Sequence, residues 1–154
     1  MDITLTKANL KDAENIHKMQ VKAFIPLLKK YQDFETNPAN ESIDKIIERL
    51  NQPYTDYYYI NLADKIVGAI RIVSLKDNVY RVSPIFVLPE YQNKGIAQKT
   101  LKTIEFIYKN ASRWKLETIL QEKSNCYLYE KLGYKKIGKT QLVNDKLTLV
   151  FYEK

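Results

Sequence analysis

The sequence has little glycine, proline or cysteine, and it has no long apolar run. Its 154 residues include four glycines, five prolines and one cysteine, Cys126. This composition excludes a collagen-like or linker-like chain, and a single cysteine cannot form an internal disulfide. The apolar runs are only a few residues long, far short of the roughly 20 that a transmembrane helix needs. The first 16 residues contain acids and no apolar stretch, so no secretory signal is visible.

These absences leave an ordinary globular domain as the expectation. The chain is 45% hydrophobic and 28% charged. At this length a core can bury roughly 68–70% of the surface that the unfolded chain exposes, so neither a disulfide nor a metal is needed for stability. The lone cysteine fits a reducing compartment. We therefore expect a single domain over 1–154, in the cytoplasm and without membrane contact.

Basic residues outnumber acidic ones, 25 to 18, which gives a formal net charge of +7. Such an excess favours an anionic partner, namely a nucleic acid, a membrane surface or a phosphorylated cofactor, or else it is a solvated lysine-rich surface. The sequence has no dense basic run, zinc pattern or arginine-rich recognition helix, so nucleic-acid binding is not expected. His17 is the one histidine and has no ligand cluster around it, so no metal site is expected.

Hydrophobic periodicity predicts a mixed α/β (α+β) domain with the element order β-α-α-β-β-β-α-β-α-β-β. The predicted strands are 3–7, 54–62, 66–75, 79–88, 116–121, 134–142 and 146–152. The predicted helices are an N-terminal one that Asn9 caps and Pro26 ends or bends, a second one that Asn40 caps, and two over 96–111 and 124–132. The second helix has Ile43, Ile46, Ile47 and Leu50 on one face. Pro84 lies inside a predicted strand and indicates a bulge or interruption there.

A strand, a tight turn and a strong helix follow one another between Val82 and Ala97. Gly95 precedes the helix and permits a positive φ or a close approach of a ligand to the backbone. The first amides of a helix have no intrahelical partner and lie at the positive end of its dipole, so a phosphate can bind there, with Lys94 close by. A glycine before a helix is also an ordinary turn, and this pattern alone does not decide between the two.

Two motifs in order make the chain resemble the GNAT superfamily of N-acetyltransferases, which use acetyl coenzyme A. The first is Val87-Leu88-Pro89-Glu90-Tyr91 followed by Gln92-x-x-Gly95-x-Ala97. The second is the run LYEKLGY that begins at Leu128. The resemblance covers essentially the whole chain. It implies a GNAT-like, mostly antiparallel mixed sheet with a bulged central strand, which gives Pro84 a role.

The resemblance also implies where the cofactor binds. The pyrophosphate of coenzyme A is expected on the backbone amides of the turn and helix start, and pantetheine is expected to pair with the bulged strand as an added strand would. The implied cofactor-binding residues are Phe86, Val87, Leu88, Gln92, Asn93, Lys94, Gly95, Ile96, Ala97, Gln98 and Asn125. The Val87 amide is the implied donor to the thioester oxyanion. Asn125 departs from the common pattern of an Asn seven residues before the motif tyrosine, a position that Glu122 holds here.

Tyr129, within the second motif, is the candidate general acid. A phenol has a reference pKa of ~10 and can protonate the thiolate that leaves when an amine attacks the thioester. The alternative is that Tyr129 only packs against the cofactor or the core.

The acceptor site is not marked by any motif. Asp33 and Glu35, in a predicted loop over 31–40, are the candidates, because an acidic pair in a basic chain attracts a cationic amine; the alternative is that both are solvated loop residues. Tyrosines at 57, 58, 59 and 80 are candidates for an acceptor pocket or for half-buried core. The general base is not visible.

The predicted function is transfer of an acetyl group from acetyl-CoA to the primary amine of an unidentified small molecule or peptide, by direct attack in a ternary complex. A cationic amine is the first candidate for the acceptor. The alternative is a non-catalytic acyl-CoA-binding or sensing module of the same fold. We expect a monomer or a homodimer, since the C-terminal hairpin offers a strand edge.

Overall fold

A seven-stranded sheet with helices on both faces organises residues 2–154, the part of the chain that the computed structural model describes. The strands are β1 (Ile3–Lys7), β2 (Thr55–Leu62), β3 (Lys65–Ser74), β4 (Val79–Val87), β5 (Arg113–Ile119), β6 (Lys135–Leu142) and β7 (Thr148–Glu153). The helices are α1 (Ala13–Tyr31), α2 (Ile43–Leu50), α3 (Ile96–Ile107) and α4 (Lys123–Lys131). This order confirms the mixed α/β architecture that periodicity predicts.

The strands lie in the order β1-β2-β3-β4-β5-β7-β6. Neighbours are antiparallel except β4 and β5, which are parallel. The sheet is therefore mostly antiparallel, with a single parallel junction near its middle. None of the helices within residues 2–154 is both long and apolar enough to cross a bilayer.

Two hydrophobic cores cover the two faces of the sheet. On one face, α1 buries Ile16, Met19 and Ala23, spaced by three and four residues, against strand residues that include Tyr57 and Phe86. On the other face, α3 and α4 bury a second set of side chains against the sheet. That set includes Ile96, Leu101, Ile104, Cys126, Tyr129, Val82, Val87 and Trp114.

The bulge predicted from Pro84 is present in β4. Ile70 of β3 pairs with Ile85, whereas Ile72 pairs with Val82, so two steps along β3 oppose three along β4. The parallel junction ends just before the bulge, because β4 pairs with β5 only over its first three residues, 79–81. The two central strands therefore separate from each other after residue 81.

Helix α1 differs from its prediction at its end. The sequence predicts that Pro26 ends or bends the helix, but α1 continues to Tyr31 and Pro26 lies inside it. Because proline has no backbone N–H, Pro26 cannot donate the intrahelical hydrogen bond to the carbonyl of Lys22. Both residues are exposed, so that carbonyl lies on the solvent side of the helix, and the buried stripe and Tyr31 hold the helix beyond the proline.

Helix α2 begins later than its predicted cap. Ser42 is its N-cap residue, whereas Asn40 ends a 3-10 turn at Pro38–Asn40 and donates its side-chain amide to the Phe34 carbonyl at 2.7 Å. The prediction that Asn40 caps this helix is wrong, because a separate short turn forms first: it begins at Pro38, and the Oδ1 atom of Asn37 accepts from the Ala39 amide.

The junction between α3 and β5 lies earlier than predicted. Helix α3 ends at Ile107 rather than at 111, because Tyr108 leaves helical geometry and its hydroxyl donates to Asp56 at 2.7 Å. Strand β5 begins at Arg113 rather than at 116, since the Ser112 amide donates to the Asn78 carbonyl at 2.8 Å and starts the pairing with β4.

Gly68 is required where β3 passes closest to β4. A Cβ atom at this residue would lie 2.2 Å from the carbonyl oxygen of Phe86, which is backbone and cannot move aside. We expect Gly68→Ala to lower the free energy of unfolding by about 1–3 kcal/mol. Ser74→Ala, at the exposed end of the same strand, is the matched control and should change stability by less than about 0.5 kcal/mol. Urea unfolding of both variants measures this, and equal midpoints would contradict the prediction.

Candidate functional site

A cavity of about 350 Å³ lies where β4 and β5 separate. One wall is the bulge of β4, 82–85, and the facing wall is the end of β5, 116–119. Helix α1 and the segment after it approach from one face of the sheet, and α4 approaches from the other. Those elements contribute Phe24, Leu27, Asp33, Thr36, Asn37, Pro38, Glu41, Asn125 and Tyr129, and Arg49 of α2, Leu147 and Leu149 complete the lining. The gap between the strands thus connects the two faces of the sheet.

The edge of β4 beside the gap offers backbone groups to a ligand. The Leu88 amide donates to the Val67 carbonyl at 2.8 Å, so Gly68 and Val87, which face each other, form a non-hydrogen-bonded antiparallel pair. The amide of Val87 therefore points away from β3, towards the side on which β5 has already diverged. The amide of Leu88, in contrast, is committed to the sheet.

The turn after β4 is held in place by its own side chains. Gln92 donates its side-chain amide to the Val87 carbonyl at 2.9 Å, which ties the turn back to the end of the strand. Asn93 and Gly95 both have positive φ, 62° and 79°, and Gly95 is the N-cap residue of α3. A Cβ atom at Gly95 would meet nothing within 4 Å, so the space in front of this turn is open.

The start of α3 has the features of an anion site. Its first intrahelical bond runs from the Lys99 amide to the Gly95 carbonyl at 3.1 Å, so the amides of Ile96, Ala97 and Gln98 precede the helical ladder and point out of the helix end. No acidic residue lies in the first turn of α3. Lys94 directly precedes Gly95, and its Nζ atom lies 5.8 Å from the centroid of the Tyr91 ring. This arrangement can bind a phosphate through backbone amides and the helix dipole.

Tyr129 lies on α4 and lines the cavity, with 8% of its surface exposed. Its ring packs against Tyr134 and Tyr152, and no hydrogen bond among residues 2–154 involves its hydroxyl. Burial raises the pKa of Tyr129 to about 12, with a smaller contribution from Cys126. The phenol therefore stays protonated at neutral and mildly alkaline pH, and it is a proton donor without a partner of its own.

The start of α4 distinguishes Asn125 from Glu122. Asn125 lines the cavity and donates to Thr118 Oγ1 at 3.4 Å. Glu122 accepts from Lys30 Nζ at 2.8 Å and from the Tyr31 hydroxyl at 2.5 Å. Although burial alone would raise the pKa of Glu122, these two donors lower it below its usual value. Glu122 thus links α1 to α4. Of the two residues, only Asn125 lines the cavity.

The structure separates the two acidic residues predicted for the acceptor site. Asp33 is 5% exposed and lines the cavity, where it accepts from both the amide and the hydroxyl of Thr36. Glu35 is exposed and is not among the lining residues. The tyrosines at 57, 58, 59 and 80 also lie elsewhere: two are buried beneath α1, and two pack around Tyr108.

Three charged lining residues were not singled out from the sequence. Glu41 and Arg49 form two short bonds, 2.7 and 2.8 Å, and Gln20 also donates to Glu41 at 2.8 Å. Glu117 lies on β5 and has no ion pair or side-chain hydrogen bond within residues 2–154. Strand alternation around Leu116 is the pattern that would have indicated Glu117, whereas nothing in the spacing of Glu41 and Arg49 predicts their contact.

The single histidine and the single cysteine have local contacts of their own. The Nε2 atom of His17 lies 2.9 Å from the Glu41 carbonyl oxygen, and Cys126 is a buried residue of α4. In the described part of the chain, no three histidine, cysteine or acidic side chains come together as metal ligands.

Comparison with known proteins identifies similar families and folds. A family model described as an acetyltransferase (GNAT) domain matches residues 53–136. The structure of ribosomal-protein-S18-alanine N-acetyltransferase from Escherichia coli superposes with a TM-score of 0.78 at 12% identity, over 99% of this chain and 92% of that one. Spermidine N-acetyltransferase from Vibrio cholerae, in complex with CoA and spermine, gives a TM-score of 0.77 at 16% identity, over 99% and 94%.

An N-acetyltransferase from Staphylococcus aureus Mu50 gives a TM-score of 0.72 at 16% identity, over 100% of this chain and 98% of that one. At such identities the solved structures show a shared fold. Comparison with curated proteins gives no match.

Proposed function

Since this chain belongs to the GNAT acetyltransferase family, whose members use acetyl-CoA, we propose that it acetylates the primary amine of a cationic acceptor by direct attack in a ternary complex. The observation that carries the proposal is the gap between β4 and β5. It brings an unpaired strand edge, the Tyr129 hydroxyl and acidic side chains to one cavity.

The donor side of the site fits acetyl-CoA. The pyrophosphate would bind the turn and helix start, 92–98, where Gly95 leaves open space and the first amides of α3 point outwards. Pantetheine would run along β4 at 86–88 as an added strand does, and Asn125 would bond one of its amides. The Val87 amide would donate to the thioester carbonyl, while Leu88, whose amide is committed to Val67, would contribute only side-chain contact.

The acceptor side fits a cation. Among the lining residues Asp33, Glu41 and Glu117 are acidic and Arg49 is basic, so the lining has a formal charge of −2 in a chain of +7. Asp33 remains in this proposal as part of the acidic wall, and Glu35 does not, because it lies outside the cavity. The spermidine N-acetyltransferase with the same fold carries spermine in its structure, which agrees with a polyamine-like acceptor here.

Tyr129 would act as the general acid. The amine nitrogen attacks the thioester carbon, the Val87 amide stabilises the oxyanion, and the C–S bond then breaks. The thiolate takes the hydroxyl proton of Tyr129, which the raised pKa of about 12 keeps in place until then. The cytoplasmic location and the choice between monomer and homodimer stay predictions from the sequence.

Release of free thiol from acetyl-CoA across a panel of amines tests the proposal. Spermidine, cadaverine, lysine amide and a peptide N-terminus represent cations, and glutamate serves as an anionic control. Cationic amines should exceed glutamate in kcat/KM by at least about 10-fold, since one carboxylate near the amine contributes about 1–4 kcal/mol. Tight binding of acetyl-CoA, with no thiol released in the presence of any amine, would favour the non-catalytic acyl-CoA-binding module. No binding at millimolar acetyl-CoA would contradict the assignment of acetyl-CoA as the acetyl donor.

Tyr129→Phe should lower kcat by about 10²- to 10⁴-fold, because the leaving thiolate loses its proton donor. The affinity for acetyl-CoA, measured by calorimetry, should change by less than about 3-fold, since the ring remains. Tyr127→Phe is the matched control on the same helix, and it should leave kcat unchanged because that side chain is 69% exposed. Equal kcat for the Tyr129 variant and the wild type would remove Tyr129 from the acid role.

Gly95→Glu should weaken acetyl-CoA binding by at least about 10-fold, because a carboxylate would lie beside the phosphates. Gly138→Glu is a matched control. Both glycines have open space and similar positive φ, 79° and 81°, but Gly138 lies on the exposed strand β6. Calorimetric titration of acetyl-CoA into both variants distinguishes the effect of backbone strain, which the two share, from the loss of the anion site, which only the Gly95 variant should show. An unchanged affinity of the Gly95 variant for acetyl-CoA would show that the phosphates do not bind at this turn.

A further inference from the structure

The α1 side of the cavity carries an apolar wall. Its six residues come from α1, the segment after it, the end of β5 and the C-terminal hairpin: Phe24, Leu27, Pro38, Ile119, Leu147 and Leu149. The hairpin reaches this side because the side-chain amide of Asn144 donates to the carbonyl of Tyr31, the last residue of α1, at 3.0 Å. All but Leu147 are only partly buried, so a ligand in the cavity would cover apolar surface.

Strand alternation places two members of the apolar wall on the face opposite Tyr129. Leu116 of β5 and Val150 of β7 are buried in the core with α3 and α4. Ile119 and Leu149 lie an odd number of residues away from them along the same strands, so their side chains project to the α1 face. The two are also register partners, so they lie side by side.

The polar groups beside the apolar wall are bound within the protein. Asp33 accepts from the amide and the hydroxyl of Thr36, and both oxygens of Glu41 accept from Arg49. A polar substituent on the body of an acceptor would compete with these bonds, whereas methylene groups would pack on the wall and leave them intact. The wall therefore favours an acceptor whose body is apolar, even though its amine is cationic.

We propose that the acceptor is a primary amine whose nitrogen is followed by an unsubstituted methylene chain, a narrowing that rests on the proposed function. The nitrogen would lie in the gap between β4 and β5, and the chain would extend over Phe24, Leu27 and Leu149. A polyamine meets this requirement through the methylene segment beside its reacting nitrogen. The α-amine of an amino acid or peptide does not, because a carbonyl group is attached to the carbon next to the nitrogen.

The linear alkylamines from ethylamine to pentylamine test the proposal, because the chain lengthens along this series while the basicity of the amine stays nearly constant. We expect kcat/KM to rise by about 3- to 4-fold for each added methylene, the gain from burying one such group. The KM for acetyl-CoA should stay within about 2-fold, since pantetheine and the chain contact different sides of the gap. A kcat/KM that is independent of chain length would overturn the proposal.

Cadaverine differs from pentylamine only by a second ammonium group, so this pair tests the alternative that Asp33 binds a distal cation. If the body of the acceptor lies on the apolar wall, kcat/KM for cadaverine should exceed that for pentylamine by no more than its two equivalent amines account for. A larger excess would show that the distal charge is recognised, and it would overturn the assignment of the wall.

Lysine amide carries both kinds of amine in one molecule. At pH 7 its α-amine is the less protonated, with a reference pKa of ~7.7–8.0 against ~10.4 for the side chain, so uncatalysed acetylation favours Nα. The enzyme should instead acetylate Nε by at least about 10-fold, because only that nitrogen is followed by several methylene groups. Chromatography of the products distinguishes the two, and a product acetylated mainly on Nα would contradict the proposal.

Leu149→Ala and Leu27→Ala test the wall itself, one from β7 and one from α1. Each should lower kcat/KM for pentylamine by at least about 3-fold more than for ethylamine, because the longer chain loses more contact. Leu142→Ala is the matched control, since that side chain is 74% exposed on β6, and it should match the wild type with both amines. A general structural defect would lower both amines equally, and that result for both variants would overturn the wall.

Amine binding separates this proposal from the proposed function. A wild type that binds acetyl-CoA and releases no thiol with any amine overturns the proposed function. Calorimetric titration of ethylamine and pentylamine into the CoA-bound protein then still tests the wall. At least about 10-fold tighter binding of pentylamine supports it, and equal affinities overturn it.

Discussion

The separation of β4 from β5 is the constraint on which the rest of the site depends. A parallel pair that stayed hydrogen-bonded would use the backbone groups of β4 for the sheet. Here the pairing ends after 79–81, and the bulge that follows re-aims β4. Arg71 donates to the Ser83 carbonyl at 2.7 Å, inside the bulge, and so fixes the strand where its regular ladder is interrupted.

The same separation explains why chemistry from both faces of the sheet meets in one place. An intact sheet would keep α1 and α4 apart by its full thickness. Through the gap, Asp33 from one side and Tyr129 from the other line a single cavity. The contacts of Glu122 with Lys30 and Tyr31 join the end of α1 to the start of α4.

The sequence predicts those features whose causes are local. Pro84 indicates the bulge, Gly95 and the stripe after it indicate the helix start, and the second motif marks the helix that carries Tyr129. The acidic wall of the cavity could not be predicted in the same way. The pairing of Glu41 with Arg49 and the capping of the loop by Asp33 depend on how α2 and the segment after α1 pack. Net charge was equally uninformative about this wall, since the lining is acidic in a basic chain.

Magnitudes show that a formal net charge of +7 is compatible with the cationic acceptor proposed above. Seven charges at roughly 18 Å, screened with a Debye length of ~8 Å, repel a cation by only about 0.2 kcal/mol in water. A single carboxylate at about 4 Å attracts it by about 1–4 kcal/mol. In the proposed function, local charge would therefore outweigh net charge at the acceptor side, while backbone amides and the α3 dipole would bind the phosphates. The proposed function thus places acetyl-CoA on backbone amides and a cationic acceptor among carboxylates, and neither contact would require the surface lysines.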